Sequence, residues 1–470
     1  MTTETYPWSA GFRSLTEEHD YRIEEIDGEV PATLRGTLFR NGSGRNQLGG
    51  AWFPHWFDGD GMIAALRFGD DGIRFRNRYV RTDNYRDETA AGRIMHRGFG
   101  KMRPGGILAN AFRLPANVSN TSVLMEGDRL LSLWEGGPPI VLDPATLETR
   151  GVEEFGGKVE AFSAHPKRDP DTGELFNFGV DYGARCTLTP YRLAKGVLTA
   201  LPKITLPYAV MNHDFVLTKN YLVFCIGPIL STPVAFLLGL KSFDAALHWE
   251  GKKPTLILLV PRDGGKARII ETDAFFQFHF ANGYEEDGAL VLDLCRYPDY
   301  LTIGQALRDY WKSDWPSPGM ARLTRLQIEL STGKIDRRVF DTGTSNEFPI
   351  INPAYVGKRH RYAYIACNRA DRMTGLQQQL AKVDFQTGSV LRHDFGATNG
   401  YPGEPFFIAT PGGAEDDGVI VTLVFDAARK CTDVVALDAR NLAAKPLFAA
   451  HLKHHVPFML HGTFTSRLYS

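Results

Sequence analysis

Thirteen histidines are the residues best suited to chemistry in this 470-residue chain. Neutral imidazole is the commonest metal ligand, and neither a CxxC pair nor an HExxH helix competes with it. Four histidines stand in local settings unlike the rest: His165 in FSAHPKRDP, His213 in VMNHDFVLTK, His279 in FQFHFANGYEEDG and His461 in HVPFMLHGTF. They are separated by 48, 66 and 182 residues, so only a fold that returns repeatedly to one place can gather them. A lone histidine beside aromatics is more often a core residue than a ligand, and His19, His96, His248, His360 and His393 sit in ordinary polar or turn contexts. His451, His454 and His455 crowd the end of the chain near His461, and His55 precedes FDGDGMI. That last segment reads as a structural turn bordering a site, with His55 a non-ligand. No Glu stands at the twelfth position of a calcium loop counted from Asp58 or Asp60.

The elements that must position these residues are predominantly β. Short β-branched or alternating runs, each ended by an Asp/Glu and a tight polar turn, recur in VLDPATLETRG (141–151), LQIELSTGKI (326–335), AKVDFQTGSV (381–390) and VALDARNLAA (435–444). Pairing them with the strands before gives units of roughly 45 to 65 residues and about four strands, the size of β-propeller blades. The full length 1–470 then holds about seven blades in one domain, with a pair of β-sandwiches as the alternative. At that period the four histidines fall one, one and three blades apart, and residues at matching blade positions converge on a propeller axis. Two segments resist the strand pattern: 300–315 reads as helix or loop, and 226–240 (IGPILSTPVAFLLGL) is an apolar run broken by Pro and Gly. Both are expected as caps over one face.

Composition narrows the partners. With 53 Lys+Arg against 54 Asp+Glu the formal net charge is -1, which excludes a nucleic-acid partner of the electrostatic kind. The five cysteines, Cys186, Cys225, Cys295, Cys367 and Cys431, are odd in number and far apart, which fits a reducing cytoplasm. No signal peptide or spanning segment is expected.

At the four histidines the sequence resembles the carotenoid cleavage oxygenases, which include apocarotenoid oxygenases, lignostilbene dioxygenases and the retinoid isomerase. The resemblance runs from LRGTLFRNGSGR (34–45) and HWFDGDGMI (55–63) through AHPKRDP, NHDF, FHFANGYEEDG, NEFPIIN and YPGEPFF to HGTF (461–464). It implies a seven-bladed propeller with an axial site under a cap of loops and short helices. It also implies a non-haem iron(II) held by His165, His213, His279 and His461, oriented by Glu135, Glu347 and Glu404. Thr121 matches a residue whose methyl group crowds the sixth coordination position. Imidazole ligation alone does not separate iron from zinc, so a hydrolytic metalloenzyme stays open, as does a propeller that only binds.

The implied reaction is cleavage of a conjugated double bond by dioxygen into two carbonyl products, on a lipophilic polyene held in a dry tunnel, with Phe278 and Phe280 flanking His279 as candidate lining. Lignostilbene-type members carry a Tyr and a Lys where Met102 and Trp134 match here. Carotenoid or apocarotenoid cleavage therefore ranks first, hydroxystilbene cleavage second and isomerisation third. A cytoplasmic chain must fetch such a substrate from a membrane, and 226–240, including Phe236 and Leu237, is expected to touch the bilayer transiently. No obligate protein partner is implied.

Overall fold

The computed structural model describes residues 6–469 except 158, 183–185, 208–210, 317–318 and 397–398. Its strands form seven sheets of four to six antiparallel strands, with two further two-stranded hairpins. The seven sheets are the blades of a β-propeller. Numbered from the N-terminus, the first blade is built on 36–79, and the others on 122–152, 167–205, 216–272, 280–339, 346–394 and 400–451.

Burial follows blade geometry. Central strands face a neighbouring blade on both sides and are continuously apolar and buried, as in Tyr221–Ile226 and Thr255–Pro261. Outer edge strands are largely exposed, as in Ile335–Val339 and Thr149–Val152. The tight polar turns read from the sequence close the hairpins into those outer strands, at 142–149 and 328–335 among others.

Two chain ends close the ring. Met459–Thr465 pairs with Gly36–Arg45 and becomes the innermost strand of the first blade. Ile26–Gly28 pairs with Phe448–His451 as the outermost strand of the last blade. A ring needs no edge strand exposed between first and last blade, and this exchange of terminal strands removes it.

The cap comes from three excursions. One, between the first two blades, carries the helices Asp83–Ala91 and Gly106–Asn110. A second interrupts the fourth blade with Pro233–Leu237 and Phe243–Ala246, and a third interrupts the fifth with Leu301–Ala306. The expected departures from strand structure at 226–240 and 300–315 are therefore both cap elements, although Ile229–Ser231 forms a short hairpin with Leu247–Trp249. The FDGDG turn anchors the cap to the ring. A Cβ on Gly61 would lie 1.9 Å from the Ser119 carbonyl oxygen, so only glycine admits that approach. Asp58, fully buried, accepts the backbone N–H of Gly100, and Asp60 pairs with Arg45 at 2.6 Å.

Candidate metal centre and substrate cavity

Each blade delivers a candidate residue to the axis from in or beside its innermost strand, and the second blade adds Glu135 just after Arg129–Leu133. Thr121 precedes Ser122–Glu126, His165 precedes Lys167–Arg168, His213 precedes Val216–Leu217, and His279 precedes Phe280–Glu286. Glu347 lies in Asn346–Ile350, Glu404 follows Gly400–Pro402, and His461 lies in Met459–Thr465. The four histidines thus come from blades three, four, five and one, the spacing expected from the repeat period.

Their ligand atoms lie within 4.8 Å of one another. Adjacent Nε2 atoms are 2.9 Å apart for His165 and His213, and 3.2 Å apart both for His213 with His279 and for His279 with His461. His213, His279 and His461 are buried and His165 is half-buried. Two imidazole nitrogens held at 90° on a divalent ion, each at about 2.1 Å, are about 3.0 Å apart.

The other ring nitrogens fix which atom offers a lone pair. His279 Nδ1 pairs with Glu347 at 2.5 Å, His461 Nδ1 with Glu404 at 2.7 Å, and His213 Nδ1 with Glu135. A proton shared with a carboxylate at Nδ1 leaves Nε2 as the acceptor, so three lone pairs point at one spot. Such an arrangement repels itself unless a cation sits between, and an all-imidazole donor set fits a first-row transition metal. Burial drives His461 down to about 4, and burial with the neighbouring rings drives His165 well below the ordinary imidazole value, so both stay neutral as ligation requires. Burial pushes His279 the same way, but the Glu347 carboxylate outweighs it and leaves the net shift upward.

The three glutamates, each readable alone as a surface charge, differ in what supports them. Glu404 is also bound by Arg40 at 2.6 Å, both buried. Burial alone would raise its carboxyl, and the charges of His461 and Arg40 hold it below the usual range. Glu347 accepts the buried Tyr297 hydroxyl at 2.5 Å and the Phe348 N–H at 3.0 Å. Glu135 is 30% exposed instead, on the cavity wall. Arg40 and Tyr297 were not anticipated from sequence. Arg40 lies 364 residues from its partner, and nothing local to either residue announces the pair.

The cluster opens into a cavity of about 840 Å³, walled chiefly by aromatic and aliphatic side chains of the cap and inner strands. Thr121 lines it, with its hydroxyl engaged by Asn120 Oδ1 at 3.1 Å. Trp134 and Phe278 line it too, whereas Phe280 packs between the fourth and fifth blades and Met102 stays off the wall. Phe280 is therefore core, because the strand that starts there turns it away from its neighbour's side. Asn212, beside His213, also reaches the wall with a buried Oδ1 that has no hydrogen-bond partner among the described residues. His55 is buried at the cap, its Nδ1 accepting the Phe57 N–H, and takes no part in the cluster.

Exposure in the cap departs from expectation. Phe236 is buried beneath the Arg97 guanidinium, 4.0 Å from its ring, and Ile226 and Ile229 are buried as well. Arg97 itself is buried and donates to the carbonyls of Asn110, Arg113, Phe236 and Lys241, tying two cap excursions together. What is exposed is a joint patch: Val234, Leu238 and Leu240 from one excursion, with Ile107, Leu108 (93%), Phe112 and Leu114 from the other. Leu114 and, beneath the patch, Phe236 also line the cavity, so the patch adjoins it. Among the described residues no helix is long and apolar enough to cross a membrane.

Comparison with known proteins agrees with this geometry. The apocarotenoid-15,15'-oxygenase of Synechocystis sp. is 35% identical, over 97% of this chain and 96% of its own. Isoeugenol monooxygenase of Pseudomonas putida is 30% identical over 94% of each chain. A carotenoid 9,10(9',10')-cleavage dioxygenase of Arabidopsis thaliana is 27% identical over 94% of this chain and 86% of its own. The crystal structure of a cobalt-substituted Synechocystis apocarotenoid oxygenase superposes with a TM-score of 0.91 at 34% identity, covering 98% of both chains. The family model described as retinal pigment epithelial membrane protein matches residues 12–466, and the chain belongs to that family, the carotenoid oxygenases.

Proposed function

We propose that this chain is an iron(II) dioxygenase, built as one propeller domain over 1–470, that cleaves a conjugated double bond of a carotenoid or apocarotenoid into two carbonyl products. The observation that carries this reading is the meeting of four imidazoles, their ligand atoms within 4.8 Å of one another, with His213, His279 and His461 in the wall of an apolar cavity. The reaction consumes one alkene and one dioxygen: the carbon–carbon double bond breaks, and each carbon takes one oxygen atom as a carbonyl. His165, His213, His279 and His461 hold the metal, which supplies the activation of dioxygen that a closed-shell alkene requires.

The protein's own part is positional. Glu135, Glu347 and Glu404 keep three imidazoles in the tautomer and orientation that ligation needs. Phe278, Trp56 and Phe57 give the polyene an apolar bed, and their bulk keeps water from the reacting carbons. Thr121 lies on the cavity wall with its hydroxyl committed to Asn120, which supports a role for its methyl group in narrowing the room left for dioxygen. No side chain is needed as an acid or base.

A second reading, cleavage of a phenylpropenoid or hydroxystilbene double bond, draws support from the isoeugenol monooxygenase relative. The wall residues disfavour it: Trp134 stands where a phenol-binding side chain is wanted, and Met102 stays off the wall. The exposed patch adjoining the cavity further supports a chain that docks on a bilayer to collect its substrate.

The test is metal analysis of the purified protein followed by incubation with an apocarotenal under air and under nitrogen, with products identified by mass. Two carbonyl fragments formed only under air are expected. Turnover independent of oxygen, or none on any polyene or stilbene with iron bound, overturns the proposal.

A further inference from the structure

Of the three carboxylates behind the histidines, Glu347 is aimed by strained backbone. The residue after it, Phe348, has a φ of +56°, in the left-handed region that a phenylalanine seldom adopts. The pairing of Asn346–Ile350 with Tyr362–Cys367 slips register between Glu347 and Ile350, so the strain sits in a break of the ladder, the kind of irregularity that re-aims a side chain. There the Phe348 N–H turns back onto Glu347 Oε2 at 3.0 Å, and the same oxygen faces His279 Nδ1 at 2.5 Å. Strain of this kind persists only where the surroundings hold it, and it gathers where geometry matters to function.

Tyr297 holds the other oxygen. It follows the strand Ala289–Arg296 of the fifth blade and exchanges both backbone hydrogen bonds with Phe276, at 2.8 and 3.2 Å. Its ring packs against Phe276 and Phe278, with centroids 5.6 and 6.0 Å away, and is fully buried. Its hydroxyl reaches Glu347 Oε1 at 2.5 Å, and a phenol beside a carboxylate donates to it. The line of contacts thus leaves the fifth blade at Tyr297, crosses to the sixth at Glu347 and returns to the fifth at His279. Tyr300, three residues on, supplies the contrast. It is buried against the same Phe276, 5.2 Å between centroids, but its hydroxyl has no hydrogen-bond partner among the described residues.

A carboxylate behind an imidazole raises its basicity as a ligand, and a donor on the far oxygen draws part of that charge away. The less charge Glu347 presents to the Nδ1 proton of His279, the weaker a donor its Nε2 becomes. A weaker donor favours the lower oxidation state, because hydrogen bonding behind a ligand is one of the protein's levers on a metal's reduction potential. We propose that Tyr297 is a positioning residue that acts through Glu347 to moderate the donor strength of His279, and so raises the reduction potential of the metal that the four histidines hold. Glu404 is moderated by a full charge instead, the Arg40 guanidinium at 2.6 Å. The inference rests on the iron reading, since a metal with one accessible oxidation state has no potential to shift.

The test is the midpoint potential of the iron-loaded protein, titrated with redox mediators under nitrogen and followed by the electron paramagnetic resonance of the ferric form, once iron content has been measured. In Tyr297→Phe the ratio of ferric to ferrous protein at a fixed potential is expected to rise about tenfold, a fall of about 59 mV in the midpoint. Tyr300→Phe removes a hydroxyl from the same aromatic cluster and is expected to leave the potential where it was. A role in packing alone moves stability and not the potential, so no shift in Tyr297→Phe, an upward shift, or one that Tyr300→Phe matches overturns the inference. Should Tyr297→Phe fail to retain iron, the unaltered protein grown on 3-fluorotyrosine, a stronger phenol donor of nearly the same size, carries the test. Its ferric-to-ferrous ratio is expected to fall about twofold or more at the same potential, and an unchanged ratio overturns the inference. Unaltered protein that binds no iron overturns the iron reading and this inference with it, and that outcome appears in the metal analysis before any potential is measured.

Discussion

The three carboxylates behind the histidines are chemically alike but not equally placed, and replacing each by glutamine separates support of the metal from mere packing. Glutamine keeps the shape of the side chain and an acceptor oxygen but removes the charge that strengthens imidazole as a donor. Loss of such a partner costs about 10- to 100-fold in metal affinity. Glu347 is buried and shares its charge with three donors, His279 Nδ1, Tyr297 Oη and the Phe348 N–H, so Glu347→Gln is expected in the middle of that range. Glu404→Gln does more harm, because it also strands the buried Arg40 guanidinium beside the site. Breaking a buried ion pair from one side costs about 3 to 5 kcal/mol of stability. Glu135 stands 30% exposed on the cavity wall and is held by fewer contacts than the other two, and Glu135→Gln is expected to cost about tenfold or less. The assay is competition of the loaded protein against a graded chelator series under nitrogen, with urea unfolding of the same samples to read stability. A Glu135 variant that loses metal most, or three variants that are indistinguishable, would refute the reasoning.

Other consequences can be measured independently. Tyr297→Phe leaves Glu347 Oε1 without its hydroxyl donor and is expected to destabilise the protein by about 1.5 to 3 kcal/mol. In a double-mutant cycle most of that cost should vanish in the Glu347→Gln background, and strict additivity in urea unfolding would contradict the contact. His55 is held neutral by burial, with its pKa brought down to about 4 from 6.5, so the unfolded chain binds the proton more readily. Its contribution to stability is intact above pH 6.5 and declines as pH falls toward 4, by about 1.4 kcal/mol per pH unit inside that window. His55→Gln should flatten the pH dependence of urea unfolding there, and an unchanged slope would assign the acid sensitivity elsewhere. Leu108→Glu with Phe112→Glu is expected to lower co-sedimentation with liposomes at least tenfold without loss of stability. Phe236→Glu should instead destabilise the cap, because that ring is buried under Arg97.

The propeller was legible because its physics writes a repeating pattern. Central blade strands buried on both faces become continuous apolar runs such as TLILLVP, and the hairpin turns that follow need Asp, Thr and Gly at fixed places. The four histidines were findable because a ring of such repeats brings equivalent positions together, and the family motifs around them marked which of thirteen to choose. What stayed hidden was direction. The run at 226–240 is apolar along its length, but apolarity alone does not tell Phe236, packed inward by Arg97, from Val234, which is 67% exposed. Phe278 and Phe280 look equivalent around His279, yet one faces the cavity and the other the blade interface. Contacts such as Arg40 with Glu404 leave no local trace, since each residue alone is an ordinary charge in or between strands.

Charge balance at the centre gives a reason for such a site to prefer a divalent ion that ligand identity does not. The four imidazoles are neutral ligands, so the local charge is set by Glu135, Glu347 and Glu404 against Arg40. Lys167 and Asp214, 2.8 Å apart beside His165 and His213, cancel one another. Three carboxylates against one guanidinium leave two negative charges, mostly shielded from water, where uncompensated charge is costly. A divalent cation brings the assembly to neutrality, whereas a trivalent one leaves a positive charge in an apolar cavity. The protein therefore favours the lower oxidation state of a redox metal by the number of its carboxylates. It would do so with neutral imidazoles alone as its four candidate ligands.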